Sequence, residues 1–475
     1  LVTGQFRVGN GVGSNAVYRL DQADPDHGTL LTTANAHVGS DGDGRFDHFG
    51  GRHVVTGRLV IGKHSGSSGR YSVSGGELEA DTIYVSEQGD GAMAHWGGTV
   101  DVANLNVGGG EFGGSYDLYG TGLLMADELR VGYATEGEMD QSGGWSHAGT
   151  LSVGDAIGAA GTYTHSDGWS NGTAELRLGD CHDSTGSYDQ SGAAEVDVGG
   201  DFSIGHGDDT VGAYVHTGGN MHVVGAAVLG RGARSTATYA IGDGPESGIA
   251  QHIEGSLDIG LGEDSDGFYH VKGRVLPVGG EWSHAGSTTV DGEVRIGGAG
   301  AGRLRIDGGG TLTAHDTVAV GSATDPGTLQ LDGGAIGGDG SVEVAASNGA
   351  ITGRGTVDLP VVNDGEIVST GLNFEEHVSG SGTVTVDADW DTVSFASAEL
   401  DGAVTNRGTL YAGAPGQTVR LAGGLSGDGT VQVDGGRLEI AADASPGSLD
   451  IFMEGTISQE SGTTVNAGGV SVGEF

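Results

Sequence analysis

The sequence holds one cysteine, Cys181, in 475 residues. No disulfide can form within the chain, so its stability must come from burial and hydrogen bonding. Proline is scarce at 7 residues, and the 99 glycines follow no three-residue period. Collagen-like and proline-rich linker architectures are therefore excluded. Cations are few: 20 Lys and Arg stand against 64 Asp and Glu, for a net charge of −44, and lysine occurs only at Lys63 and Lys272. Such a field repels phosphate backbones and anionic lipid, so neither nucleic acid nor a membrane surface is an expected partner. No apolar run approaches the roughly 18 residues that span a bilayer, so membrane insertion by this chain is not expected. Walker, HExxH, CxxC and EF-hand motifs are missing. Enzymes that cut acidic polysaccharides on elongated β scaffolds need cations around the cleft, which are sparse here. The expectation is a protein that is not an enzyme, with no catalytic residue and no cofactor. The start at Leu1, without methionine or a signal-like apolar segment, reads as a processed, secreted and extracellular form.

What the sequence has is repetition. Short apolar-x-apolar segments ending in glycine recur, among them Arg7-Val8-Gly9, Val60-Ile61-Gly62, Ser152-Val153-Gly154 and Ser203-Ile204-Gly205. Where no insertion intervenes their spacing is 22 to 26 residues. Nine residues after many of these glycines stands a tyrosine: Tyr18, Tyr71, Tyr163, Tyr188, Tyr214, Tyr239 and Tyr269, with Tyr116 one residue early. A glycine pair such as Gly75-Gly76 or Gly97-Gly98 follows, then another alternating segment such as Glu77-Leu78-Glu79-Ala80. Strict alternation over four to six residues is strand-like, and glycine supplies the positive φ of tight corners. Each unit of about 24 residues is thus three short strands that cannot bury an apolar face alone, whereas stacked units can.

The fold class that follows is all-β: a β-solenoid, a parallel β-helix expected to be right-handed from the general crossover preference. About 20 coils at about 4.8 Å each are expected. The regular repeat covers residues 1–340. Residues 341–475 carry a second rhythm, Gly353-Arg354-Gly355-Thr356-Val357 and its copies near 380 and 427, expected to form wider, less regular coils or a packed β-domain. Tyr71, Tyr116, Tyr163, Tyr188, Tyr214, Tyr239 and Tyr269 are expected to line up as a core ladder, each hydroxyl needing a partner.

The stretch 61–80, IGKHSGSSGRYSVSGGELEA, resembles the repeat of type V secretion (autotransporter) passengers and PEP-CTERM-associated proteins. GRGTVDLPVVNDGEIVSTG at 353–371 and ASPGSLDI at 444–451 resemble the C-terminal halves of the same secreted proteins. The resemblance implies an extracellular β-helical surface or matrix protein and no catalytic residues.

Four sets of residues are candidates for function. Asp41, Asp43 and Asp47, with Asp24 and Asp26 nearby, offer oxygen ligands to calcium; an ordinary Asp-Gly turn is the competing reading. Trp145, His147 and Trp169 are expected on the outer face, either to grip glycans or a neighbouring subunit or to brace the wall as an aromatic stack. Asn171-Gly172-Thr173 is an N-glycosylation sequon. Val2, Phe6 and Val8 at one end, and Val470, Val472 and Phe475 at the other, read as edge strands. They are expected to join copies head to tail into a filament, with glycans or other matrix proteins as further partners.

Overall fold

The computed structural model of the chain describes residues 4–21, 29–242, 249–271, 286–388, 390–452 and 455–473. Among the described residues there is no helix; 46 strands pair in parallel as a β-solenoid of about 18 turns with about 24 residues per turn. The turns are fewer than the 20 expected because some coils carry insertions. Val8 pairs with Val38 and Leu257 with Val294, offsets of 30 and 37 residues. The chain divides into two compact units, Leu1–Tyr239 with Gly244–Gln251, and Ala240–Asp243 with His252–Phe475.

In the first unit the coil around residues 82–102 shows how the sequence makes a turn. Ile83 and Val85 point inward, the chain bends at Ser86, Met93 and His95 point inward, and Gly97-Gly98 turn it again towards Val100 and Val102. Every one of those inward side chains is essentially buried. Each buried Val, Leu or Ile contributes about 1.5–3 kcal/mol by leaving water, which only stacking allows. The third corner is softer than expected: Glu77–Val85, Thr99–Val107 and Leu123–Val131 run from one face of the coil to the next as unbroken strands. Pairing is one coil on throughout, Val100 with Leu124 and Tyr163 with Tyr188.

The glycine that ends an apolar-x-apolar segment and a second one seven residues later have a specific cause. Gly179 ends its strand at φ +65°. A Cβ on Gly186, seven residues later, would sit 2.2 Å from the Val153 carbonyl oxygen and 2.4 Å from the Gly179 nitrogen. The corner thus folds directly onto the first residues of the next strand, and only hydrogen fits between the backbones. Gly186→Ala is therefore expected to destabilise the first unit by about 2–4 kcal/mol, because the clash is with backbone and cannot be relieved by a rotamer change. Urea unfolding checks this; a midpoint equal to wild type would refute the close approach.

In the second unit the solenoid continues through the described residues of 341–473 rather than becoming a packed β-domain. Val320 pairs with Val344, and Val344 with Asn363. The coils there are narrower, not wider: Val342–Val361, Val361–Val378 and Val384–Val404 are offset by 19, 17 and 20 residues. Their connections are short because Gly353, Gly355, Gly371 and Gly380 take positive φ inside or at the ends of long bent strands such as Gly349–Asp358 and Glu366–Gly380, so corners form without loops.

Candidate functional site

All seven ladder tyrosines are buried, at 1 % exposure or less. Four of them form one run of parallel rings: Tyr163–Tyr188, Tyr188–Tyr214 and Tyr214–Tyr239 have centroids 4.6, 4.8 and 5.1 Å apart, with planes within 13°. Phe46 stacks on Tyr71 at 4.5 Å in the same manner. The spacing is set by the coil rise of about 4.8 Å, which places identical side chains in contact.

A buried phenol must be hydrogen-bonded, and for Tyr116, Tyr163, Tyr188, Tyr214 and Tyr239 the partner comes from the preceding coil, two residues after that coil's ladder position. His95 Nδ1 meets Tyr116 Oη at 2.9 Å, His165 Nδ1 meets Tyr188 Oη at 2.9 Å, and His216 Nδ1 meets Tyr239 Oη at 3.0 Å. Gln141 and Gln190 replace histidine: their Oε1 atoms accept from Tyr163, at 2.5 Å, and Tyr214, at 2.6 Å. His53 Nδ1 serves Tyr71 at 2.9 Å, and Thr288 Oγ1 serves Tyr269 at 2.8 Å. His95 and His216 also donate from Nε2 to the carbonyls of Gly98 and Gly219, each at 3.1 Å. That bond fixes the tautomer, so Nδ1 is the acceptor of the tyrosine proton. Burial pushes His95, His165 and His216 down to about 4, and all three are held neutral. These histidines and glutamines escaped the sequence reading. Their signal is the His or Gln two residues past the ladder position, in Tyr163-Thr164-His165, Tyr188-Asp189-Gln190 and Tyr214-Val215-His216.

A second polar group lies at the corner after the Val-Gly segments. Asp155 lies 3.2 Å from Arg130 Nε, and Asp180 accepts from Ser152 Oγ at 2.9 Å. Burial, with Asp180 as neighbour, pushes Asp155 up to about 6, and Arg130 opposes the shift. Ser203 Oγ lies 2.8 Å from His206 Nδ1, and His206 Nε2 lies 3.7 Å from Asp180. Serine, histidine and aspartate are the residue types of a nucleophile relay. Here, however, Ser203 is only 2 % exposed and bonds within its own turn. Chemically the group is a cross-coil polar clamp.

The calcium candidates do not come together. Asp47 is 2 % exposed on the strand Asp43–His48, where its carboxylate pairs with Arg45 at 2.7 Å and Arg19 at 3.6 Å. Asp43 opens the same strand, and Asp41 lies in the turn before it, 3.9 Å from His64. Arg45, two residues earlier on the same strand, and Arg19, the register partner of Asp47 in the neighbouring coil, have taken the ligand. Asp24 and Asp26 lie outside the described residues. Among the described residues the grouped metal-type ligands are His182, Asp183 and Asp209, and Arg234 already holds Asp209 at 2.7 Å.

The outward face carries the aromatic residues where alternation placed them. Trp145 is 53 % exposed, His147 is exposed and Trp169 is half-buried. Trp145 and Trp169 are register partners with centroids 5.0 Å apart at 43°. Trp169 donates its indole N–H to Asp197 at 3.1 Å. Trp96 and Tyr119 form a further stacked pair at 4.2 Å. Asn171 pairs with His147 in backbone register. At the ends, Phe6 and Val8 lie on the strand Gln5–Val8, with Phe6 4.9 Å from the Tyr18 ring; Val470 and Val472 lie on Val470–Gly473, and Val470 is 64 % exposed. Val2 and Phe475 lie outside the described residues.

No family model matches the chain, and no curated protein or solved structure matches it.

Proposed function

We propose that the protein is a non-catalytic, extracellular structural solenoid whose copies associate end to end into a surface or matrix filament. The observation that carries this reading is the self-complementary register. Described strands pair in parallel with their counterparts one coil apart, so the edge of one coil carries donors and acceptors that match those of another. Among the described residues, Gln5–Val8 pairs on one side only, with Asn35–Val38, and Val470–Gly473 on one side only, with Ser448–Phe452. Such edges recruit strands, and a heterologous contact that does not close generates an open filament. The buried titratable groups also support a structural role, since His95, His165 and His216 are engaged in holding tyrosines across coils.

Electron microscopy and sedimentation of the purified protein test the reading. Filaments are expected, shortened severalfold by Arg7→Pro or Val472→Pro, because proline removes a ladder donor at one edge. A wild type that stays monomeric at high concentration, or filaments of unchanged length in both variants, would overturn it.

A further inference from the structure

The outer face around the tryptophan pair is graded from coil to coil. One outward row runs Thr99, Leu123, Trp145, Trp169, Glu195 through five successive coils; the row beside it runs Asp101, Met125, His147, Asn171. An apolar strip three coils tall, about 14 Å at the coil rise, therefore lies between polar ends. Trp169 is braced by its bond to Asp197 and Trp145 rests against it, so the pair is held before any ligand arrives. Leu123 and Met125 are half-buried beside them. Asp101 and Glu195, at the two ends of the strip, are exposed and have no cationic partner among the described residues.

We propose that this face binds a neutral glycan chain lying along the solenoid axis. Charge selects the occupant. The strip is bounded by carboxylates, on a chain of net charge −44, so acidic polysaccharides, nucleic acid and the side of a second copy, as opposed to its end, are all repelled from this face. A pyranose ring offers an apolar C–H face to an indole and hydroxyl donors to carboxylates, which form strong charge-assisted hydrogen bonds. The coil rise of about 4.8 Å is close to the length of one sugar unit, so successive rings meet successive coils. A cationic peptide is the weaker fit, since 64 acidic residues spread over the whole chain attract it without any need for the tryptophans.

The test is calorimetric titration of the full chain with neutral oligosaccharides of four to six units: β-1,4-glucan, β-1,3-glucan, xylan and mannan fragments, with oligolysine as the cationic probe. One of the neutral series is expected to bind. Affinity should fall at least about tenfold in Trp145→Ala and in Trp169→Ala, partly recover in Trp145→Phe, and persist at about 0.5 M salt, where surface charge is screened. Trp390→Ala, at a residue 94 % exposed in the second unit, should bind as wild type. Thermal melts of each variant separate lost binding from lost folding, and Trp145→Phe keeps the test valid should either alanine variant unfold. Binding of none of the neutral series, unchanged binding in folded Trp145→Ala, or a tryptophan-dependent signal for oligolysine alone that salt abolishes would each overturn the proposal.

Discussion

Acidification from about pH 7.5 to about pH 5 is expected to remove about 6 kcal/mol of stability from the first unit. His95, His165 and His216 are buried there as neutral partners of tyrosine hydroxyls, and burial lowers each to about 4. In the unfolded chain each returns to about 6.5. Between those values the unfolded state binds more protons than the folded state, so stability present above about 6.5 is lost as pH falls towards 4. At pH 5 the loss is about 2 kcal/mol for each histidine. His53, lowered to about 3 by burial and by His48, acts in the same direction. Asp155 acts in the opposite one: raised to about 6, it takes up its proton earlier in the folded state. It offsets roughly 1 kcal/mol, discounted because it is partly solvated. The histidines win.

In the second unit His252, His315 and His377 lie on the exposed wall, and the partly buried His270 faces Asp307 on that wall rather than the core. Hydrogen exchange, corrected for intrinsic rates, should therefore show strand amides of the first unit losing protection at pH 5 while those of the second keep it. Replacing His95, His165 and His216 together by glutamine should flatten the pH response, since Gln141 and Gln190 already do the same work without titrating. An equal response in both units, or no flattening in the triple variant, would refute the assignment.

Substitutions at Tyr188 should rank Phe, then Ala, then Asp in increasing damage. Tyr188 lies between Tyr163 and Tyr214, with ring centroids at 4.6 and 4.8 Å, and its hydroxyl meets His165. Tyr188→Phe keeps both stacks and leaves His165 Nδ1 unpaired beside an Nε2 that already has no partner among the described residues, at about 1–3 kcal/mol. Tyr188→Ala opens a cavity between two rings that the backbone ladder holds apart, at about 3–5 kcal/mol. Tyr188→Asp adds a carboxylate with no cation in reach of the column, and several kcal/mol more. Coils of a solenoid couple chiefly to their neighbours, so exchange protection should fall around residues 163–214 and hold around residues 367–395. Urea midpoints give the ranking; a phenylalanine variant as damaged as the alanine one would mean the ring stack contributes little.

The sequence alone determined the all-β class, the coil of about 24 residues, the inward tyrosines and the outward Trp145 and Trp169. Each of these rests on a local property: alternation assigns a face to every strand residue, and glycine at a fixed offset assigns a corner. Tertiary structure decided the pairings. Which coil supplies the partner of the Tyr188 hydroxyl, that Arg19 reaches Asp47, and how narrow the coils become after Val342 all depend on register between segments 17 to 37 residues apart. A slip of one residue would turn every side chain of a strand to the opposite face. That register is set jointly by the glycine contacts and the whole column of buried side chains, so no single repeat contains it.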